Sequence, residues 1–178
     1  LGMRPFTRIN YKISTEERLP GIDSASTLFE GNGGSTKAFI GTAYRIGGLS
    51  IGVNAGFLFG NQNINTERSF RNDSIFYFNS QQQNNTYYSR FSLDGGIQYK
   101  LKLSKNNNLR IGATGFMGGN MNATQDRLRQ TFIFNSSNGV DSLDVAERST
   151  GNPGIITIPS GYSTGLQLEG GAGQWMIG

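Results

Sequence analysis

The chain has no cysteine and no histidine. The first absence excludes disulfides, thiolate nucleophiles and Cys-ligated zinc or iron–sulfur centres. The second removes the side chain most often used for acid/base work near neutral pH and for binding metals. Charged residues are sparse, at 16% against about 25% in ordinary globular domains. Sixteen bases against 12 acids leave a net charge of only +4, and no Lys/Arg run resembles a nucleic-acid arm. Long apolar runs are missing too. Nothing approaches the ~20 consecutive apolar residues of a membrane helix. Leu1–Phe6 lacks the charged start and apolar core of a secretory signal. A membrane strand is not excluded, because it needs only about 9–11 residues of weak alternation.

Glycine and asparagine are what the chain has in excess. They number 26 and 18 of 178 residues, with glycine well above its usual share of about 7%. Such a composition favours turns and disfavours a helical bundle.

The dominant pattern has period two, the signature of strands whose side chains point alternately to opposite faces. From Tyr87 to Leu103 one parity carries Tyr87, Phe91, Leu93, Ile97, Tyr99, Leu101 and Leu103; the other carries Arg90, Asp94, Gln98, Lys100 and Lys102. The same split recurs at Leu109–Met121, Leu49–Phe59, Ala38–Ile46 and Tyr162–Leu168. On this pattern Ile9, Tyr11 and Ile13 oppose Arg8, Asn10 and Lys12. Seven strands are expected, over about 5–14, 36–46, 49–60, 87–103, 109–122, 161–169 and 174–178. Short turns at Gly47-Gly48, Ser104–Asn108 and Gly170–Gly173 alternate with long polar connections at 15–35, 61–86 and 123–160. Within these, Ile75–Phe78 and Thr131–Phe134 look strand-like. No charge falls on the apolar parity of any strand.

A soluble β-sandwich also alternates, but its connections rarely alternate between a few residues and several tens. Outer-membrane barrels have short turns at one end, long loops at the other, apolar residues toward lipid and a polar lumen. The expected fold class is therefore all-β, an antiparallel transmembrane β-barrel segment. Because an open sheet edge is intolerable in a bilayer, residues 1–178 are expected to be an internal part of a longer barrel, with outer-membrane lipids as its surroundings.

Gly31–Gly60, GNGGSTKAFIGTAYRIGGLSIGVNAGFLFG, and Ile158–Gly178, IPSGYSTGLQLEGGAGQWMIG, resemble the long-chain fatty-acid transporter (FadL-type) family of Gram-negative outer-membrane barrels. The resemblance implies a 14-stranded barrel passing hydrophobic small molecules such as fatty acids or hydrocarbons through its lumen. That family's Asn-Pro-Ala plug element has no counterpart here; Asn152-Pro153 is followed by Gly. Two alternatives stand beside transport. One is a non-transporting outer-membrane barrel that serves as scaffold or partner subunit of a surface complex through its long loops. The other is a soluble β-sandwich binding module.

Residues that break the polar parity are the candidate ligand contacts. Phe39, Leu58 and Phe116, with Phe6 beside them, would give a hydrophobic lining, since ligand sites are mostly apolar with a few polar anchors. They could equally pack against a plug or one another. Arg90, Lys100, Lys102 and Arg110 are inward bases. They could hold a ligand carboxylate or pair across strands with residues such as Asp94. Asp126, Asp141, Asp144 and Glu147 lack calcium-loop spacing and read as solvated loop charge. No catalytic constellation, cofactor motif or metal set is present, so no enzyme is expected.

Overall fold

A computed structural model describes residues 1–20, 22–71, 77–135, 139–170 and 175–178. The fold is all-β, an antiparallel sheet curled into a half-barrel, with no helix among the described residues. Its strands are β1 (Gly2–Leu19), β2 (Ile22–Ile46), β3 (Leu49–Arg71), β4 (Asn79–Lys102), β5 (Asn108–Phe116), β6 (Gly119–Phe134), β7 (Val140–Ile158), β8 (Gly161–Gly170) and β9 (Trp175–Ile177). They pair in the order β1-β2-β3-β4-β5-β8-β9, while β6 pairs with β4 and β7.

The nine strands follow seven paths. β4 pairs with β5 over Asp94–Lys102 and with β6 over Asn79–Ser89, so β5 and β6 are two pieces of one path. β7 and β8 likewise continue one another beside them. The expected strand 109–122 is thus a single path broken at Met117-Gly118. Tight turns lie at one end, at Gly47-Gly48, where Gly47 has φ 57°, and at Leu103–Asn107, where Leu103 and Ser104 donate to the Asn107 carbonyl at 3.0 and 3.1 Å. The expected turn at Gly170–Gly173 falls mostly outside the described residues; Gly170 closes β8.

The segments expected as long loops are mostly strand. β1 and β2 pair up to Leu19↔Ile22, β3 and β4 up to Arg68↔Ser80, and β6 and β7 up to Phe134↔Val140. The described residues of these segments carry many polar side chains on both faces, so alternation fades, yet the backbone ladder continues through most of them. At ~3.4 Å per residue, β4 runs about 80 Å, far more than an apolar band about 25 Å tall requires. Thr131–Phe134 lies in β6; of Ile75–Phe78 the first two fall outside the described residues, and Tyr77 and Phe78 are not strand.

Faces follow from the ladders, since residues directly opposite share a side. The convex face exposes Ile40, Tyr44, Ile51, Val53, Phe57, Phe91, Ile97, Tyr99 and Ile111. The concave face carries Lys37 and Leu58, 5% and 4% exposed. The expected facing of β1 is corrected beyond its start. The β1–β2 register slips by one residue between Pro5 and Thr7, a β-bulge that re-aims every later side chain. Thr7 Oγ1 then meets Ser35 Oγ at 2.7 Å. Tyr11 lies over Gly31. Ile9, Tyr11 and Ile13 therefore face the concave side, and Arg8 and Lys12 the convex side.

Glycine permits close strand approach at Gly60, where a Cβ would strike the Gly34 carbonyl oxygen and Ser35 of β2. At Gly165 in β8 a Cβ meets open space. Gly60→Ala is expected to cost about 1–3 kcal/mol as an overpacking substitution, measured by urea unfolding in detergent micelles. Gly165→Ala should leave the midpoint within error; equal effects would refute the close approach.

Candidate functional site

On the concave face a cavity of about 730 Å³ is lined by Phe39, Leu58, Arg90 and Phe116, together with Phe6 and Arg4. All four candidate ligand contacts thus share one depression. Their environments differ. Leu58 is buried, Phe39 half-buried, and Phe116 46% exposed. Arg4 stacks over the Phe39 ring, 5.8 Å from its centroid.

The polar residues of this depression bind one another. Lys37 Nζ is ion-paired with Asp94 Oδ1, and Asn54 Nδ2 donates to Asp94 Oδ2 at 2.9 Å. Three strands are involved, since Lys37 lies on β2, Asn54 on β3 and Asp94 on β4. Reach across β3 explains why the pair was not legible as a cross-strand neighbour. Asp94 sits opposite Asn54, and Lys37 opposite Leu58. The Lys37 side chain is 7% exposed and that of Asp94 20%, so neither charge is well hydrated without the other.

Arg90 is engaged entirely with backbone. Its Nη1 donates to the Gly119 carbonyl at 2.9 Å. Nη2 donates to Gly118 at 2.9 Å and Met117 at 3.2 Å, and Nε to Phe91 at 3.0 Å. These carbonyls sit where the β5–β6 path breaks, and Ser160 Oγ accepts from Gly118 N at 3.0 Å across the neighbouring break. The planar fork of five donors suits such a cluster of acceptors. Sequence placed Arg90 on the correct face but gave no signal of the break it spans.

Other inward bases share one acid. Arg110 Nε lies 2.5 Å from Glu169 Oε1, and Lys100 Nζ 3.8 Å from Oε2. The acids of 123–160 serve local structure. Asp126 accepts from Gly151 N at 2.8 Å and Asp141 from Asn135 Nδ2 at 3.1 Å. Glu147 lies 3.5 Å from both Arg127 and Arg129. No group of three acids close enough to hold a metal occurs among the described residues.

Above the convex apolar band, a polar row crosses the extensions. Lys12 lies 2.6 Å from Glu30, and Gln81 bridges Asn65 at 3.2 Å and Gln130 at 2.8 Å. The hydrogen bond to Glu30 raises Lys12 above the ordinary lysine range, and the same bond lowers Glu30. Burial, then the neighbouring Glu30 charge, raises Glu67.

A curled antiparallel sheet with an apolar outer band and an inner face of mutually bonded polar groups defines the wall of a β-barrel. Within that class, the BamG family model matches residues 1–178, and the chain belongs to the BamG family. This corrects the resemblance to fatty-acid transporters: a Gly-Gly turn followed by alternating apolar residues is common to hairpins of many barrels. No curated protein and no solved structure matches the chain.

Asp94→Ala should strand Lys37 without its carboxylate and cost about 3–5 kcal/mol, as for other broken buried pairs. Lys37→Met combined with Asp94→Leu should recover most of that loss; unfolding midpoints compare the two. Arg90→Lys keeps the charge but loses the fork. It should cost about 1.5–3 kcal/mol, the scale of a charged hydrogen bond, and speed limited proteolysis between β5 and β6. Unchanged cleavage there would remove Arg90's role at the break.

Proposed function

We propose that this chain is the wall of a Gram-negative outer-membrane barrel that works as a non-enzymatic accessory subunit in the assembly of other outer-membrane barrels, and does not transport a solute. The carrying observation is the family match over all 178 residues, since BamG membership points to a barrel-assembly-related outer-membrane protein with a protein partner. The transport reading drew its ligand from a resemblance that no longer stands.

The side chains support a scaffold. Lys37, Asp94, Asn54 and Arg90, the polar groups beside the cavity, bind one another or the backbone of the wall, which gives them a structural role. The convex band suits lipid. Its run from Leu49 to Phe59 in β3 matches the 9–11 residues that cross a bilayer as a strand.

Depletion of the full-length protein in the organism that encodes it is expected to lower the folded amounts of unrelated outer-membrane barrels, read by heat-modifiable gel mobility. Uptake of a long-chain fatty acid should be unchanged once those losses are accounted for. Normal levels of every other barrel, together with lost uptake, would reverse the proposal.

A further inference from the structure

The tight-turn end of the concave face collects bases. Arg45 lies near the end of β2, Lys100 and Lys102 at the end of β4, Lys105 in the following turn, and Arg110 near the start of β5. Against these five stands one acid, Glu169, which is 7% exposed and already shared by Lys100 and Arg110. Lys100 and Arg110 are directly opposite in the ladder, an arrangement that like charges disfavour. Lys102 and Lys105 are exposed and have no acid partner in the ion pairs described.

The direction of these side chains narrows what they meet. Arg45 is opposite Ser50, which is opposite Gln98. Two-residue alternation puts Arg45, Lys100, Lys102 and Arg110 on the side of Lys37 and Leu58, the concave face. The convex neighbours at this level are Tyr99, Leu101 and Leu103. Lipid headgroups around the barrel would meet those apolar residues, and the bases would face whatever covers the mouth of the lumen.

We infer that this basic mouth is a docking surface for an acidic segment of a partner protein on the tight-turn side of the membrane. The inference rests on the reading of the chain as a partner subunit and names that partner's chemistry. Charge complementarity sets orientation and encounter rate more than raw affinity, and among the described residues four bases on one face around a single buried acid, with Lys105 at the turn beside them, form a patch dominated by positive charge.

Purified full-length protein in uncharged detergent micelles is titrated with fluorescein-labelled oligoglutamate and followed by anisotropy. Binding is expected at low salt and should fade as salt screens it. Lys102→Glu with Lys105→Glu should weaken it by about tenfold or more, a size reasonable for reversing two exposed charges at a complementary surface. Neither lysine is bonded to the wall, so the barrel should keep its heat-modifiable mobility. Arg18→Glu with Arg148→Glu, at the opposite end, should leave binding unchanged. Absence of binding at low salt, equal loss in both pairs, or full displacement by phosphatidylglycerol nanodiscs would overturn the inference, the last by assigning the mouth to lipid. Because the assay needs no barrel-assembly readout, binding that survives beside normal barrel levels in depleted cells would remove the assembly role and leave the docking surface.

Discussion

Every backbone N–H and C=O in the wall of a barrel needs a partner, because lipid offers none and each unmet group costs several kcal/mol. β4 shows what that constraint demands. It pairs with β3 along its length on one side. On its other side the partner changes from β5 to β6 between Asp94 and Ser89. The carbonyls of Met117, Gly118 and Gly119 lie at that change, where no ladder can serve them all. Arg90 serves them instead. A side chain that in sequence reads as a lumen charge thus serves carbonyls at the break from which the β6–β7 hairpin continues.

The same demand explains the long extensions. Among the described residues above the apolar band, few apolar side chains are buried, chiefly Ala25, Ala123 and Phe132, and β7 is exposed along nearly all its length. What holds these hairpins is the continuity of their ladders with the strands below, helped by rows such as Lys12–Glu30 and Asn65–Gln81–Gln130. Exposed pairs of this kind contribute about 0–1 kcal/mol each, so they tune register more than they supply stability.

This division marks how much the sequence made legible. Where the two faces meet different surroundings, as in Leu49–Phe59 or Tyr87–Leu103, alternation located strands, faces and tight turns. Where both faces meet water, at 61–71 and 79–86, alternation has nothing to record, and Gln, Asn and Ser imitate loop. In β1 a one-residue bulge near Phe6 reversed the facing of Ile9, Tyr11 and Ile13, and no composition betrays a single extra residue. Phe39, Leu58, Phe116 and Arg90 were rightly put on one side and meet in one cavity. The Lys37–Asp94 pair spans a strand, and adjacency alone cannot reveal it. The family was illegible for a related reason: turn glycines and alternating apolar residues are requirements of the architecture, shared by barrels of unrelated work.

Function in such a wall must then come from what the ladders leave unspent. At the level of the cavity little polar capacity remains, because Asp94 answers Lys37 and Asn54, and the Arg90 fork is filled by carbonyls. At the tight-turn end one carboxylate serves two cations, and Lys102 and Lys105 are left over. Buried charge must be balanced inside the wall on pain of several kcal/mol, whereas charge at a hydrated mouth is tolerated and can act at a distance set by salt. The gradient from a balanced middle to an unbalanced rim follows from that difference in solvation. It leaves the balanced groups of the middle to hold the wall together and the unpaired lysines of the rim exposed to solvent.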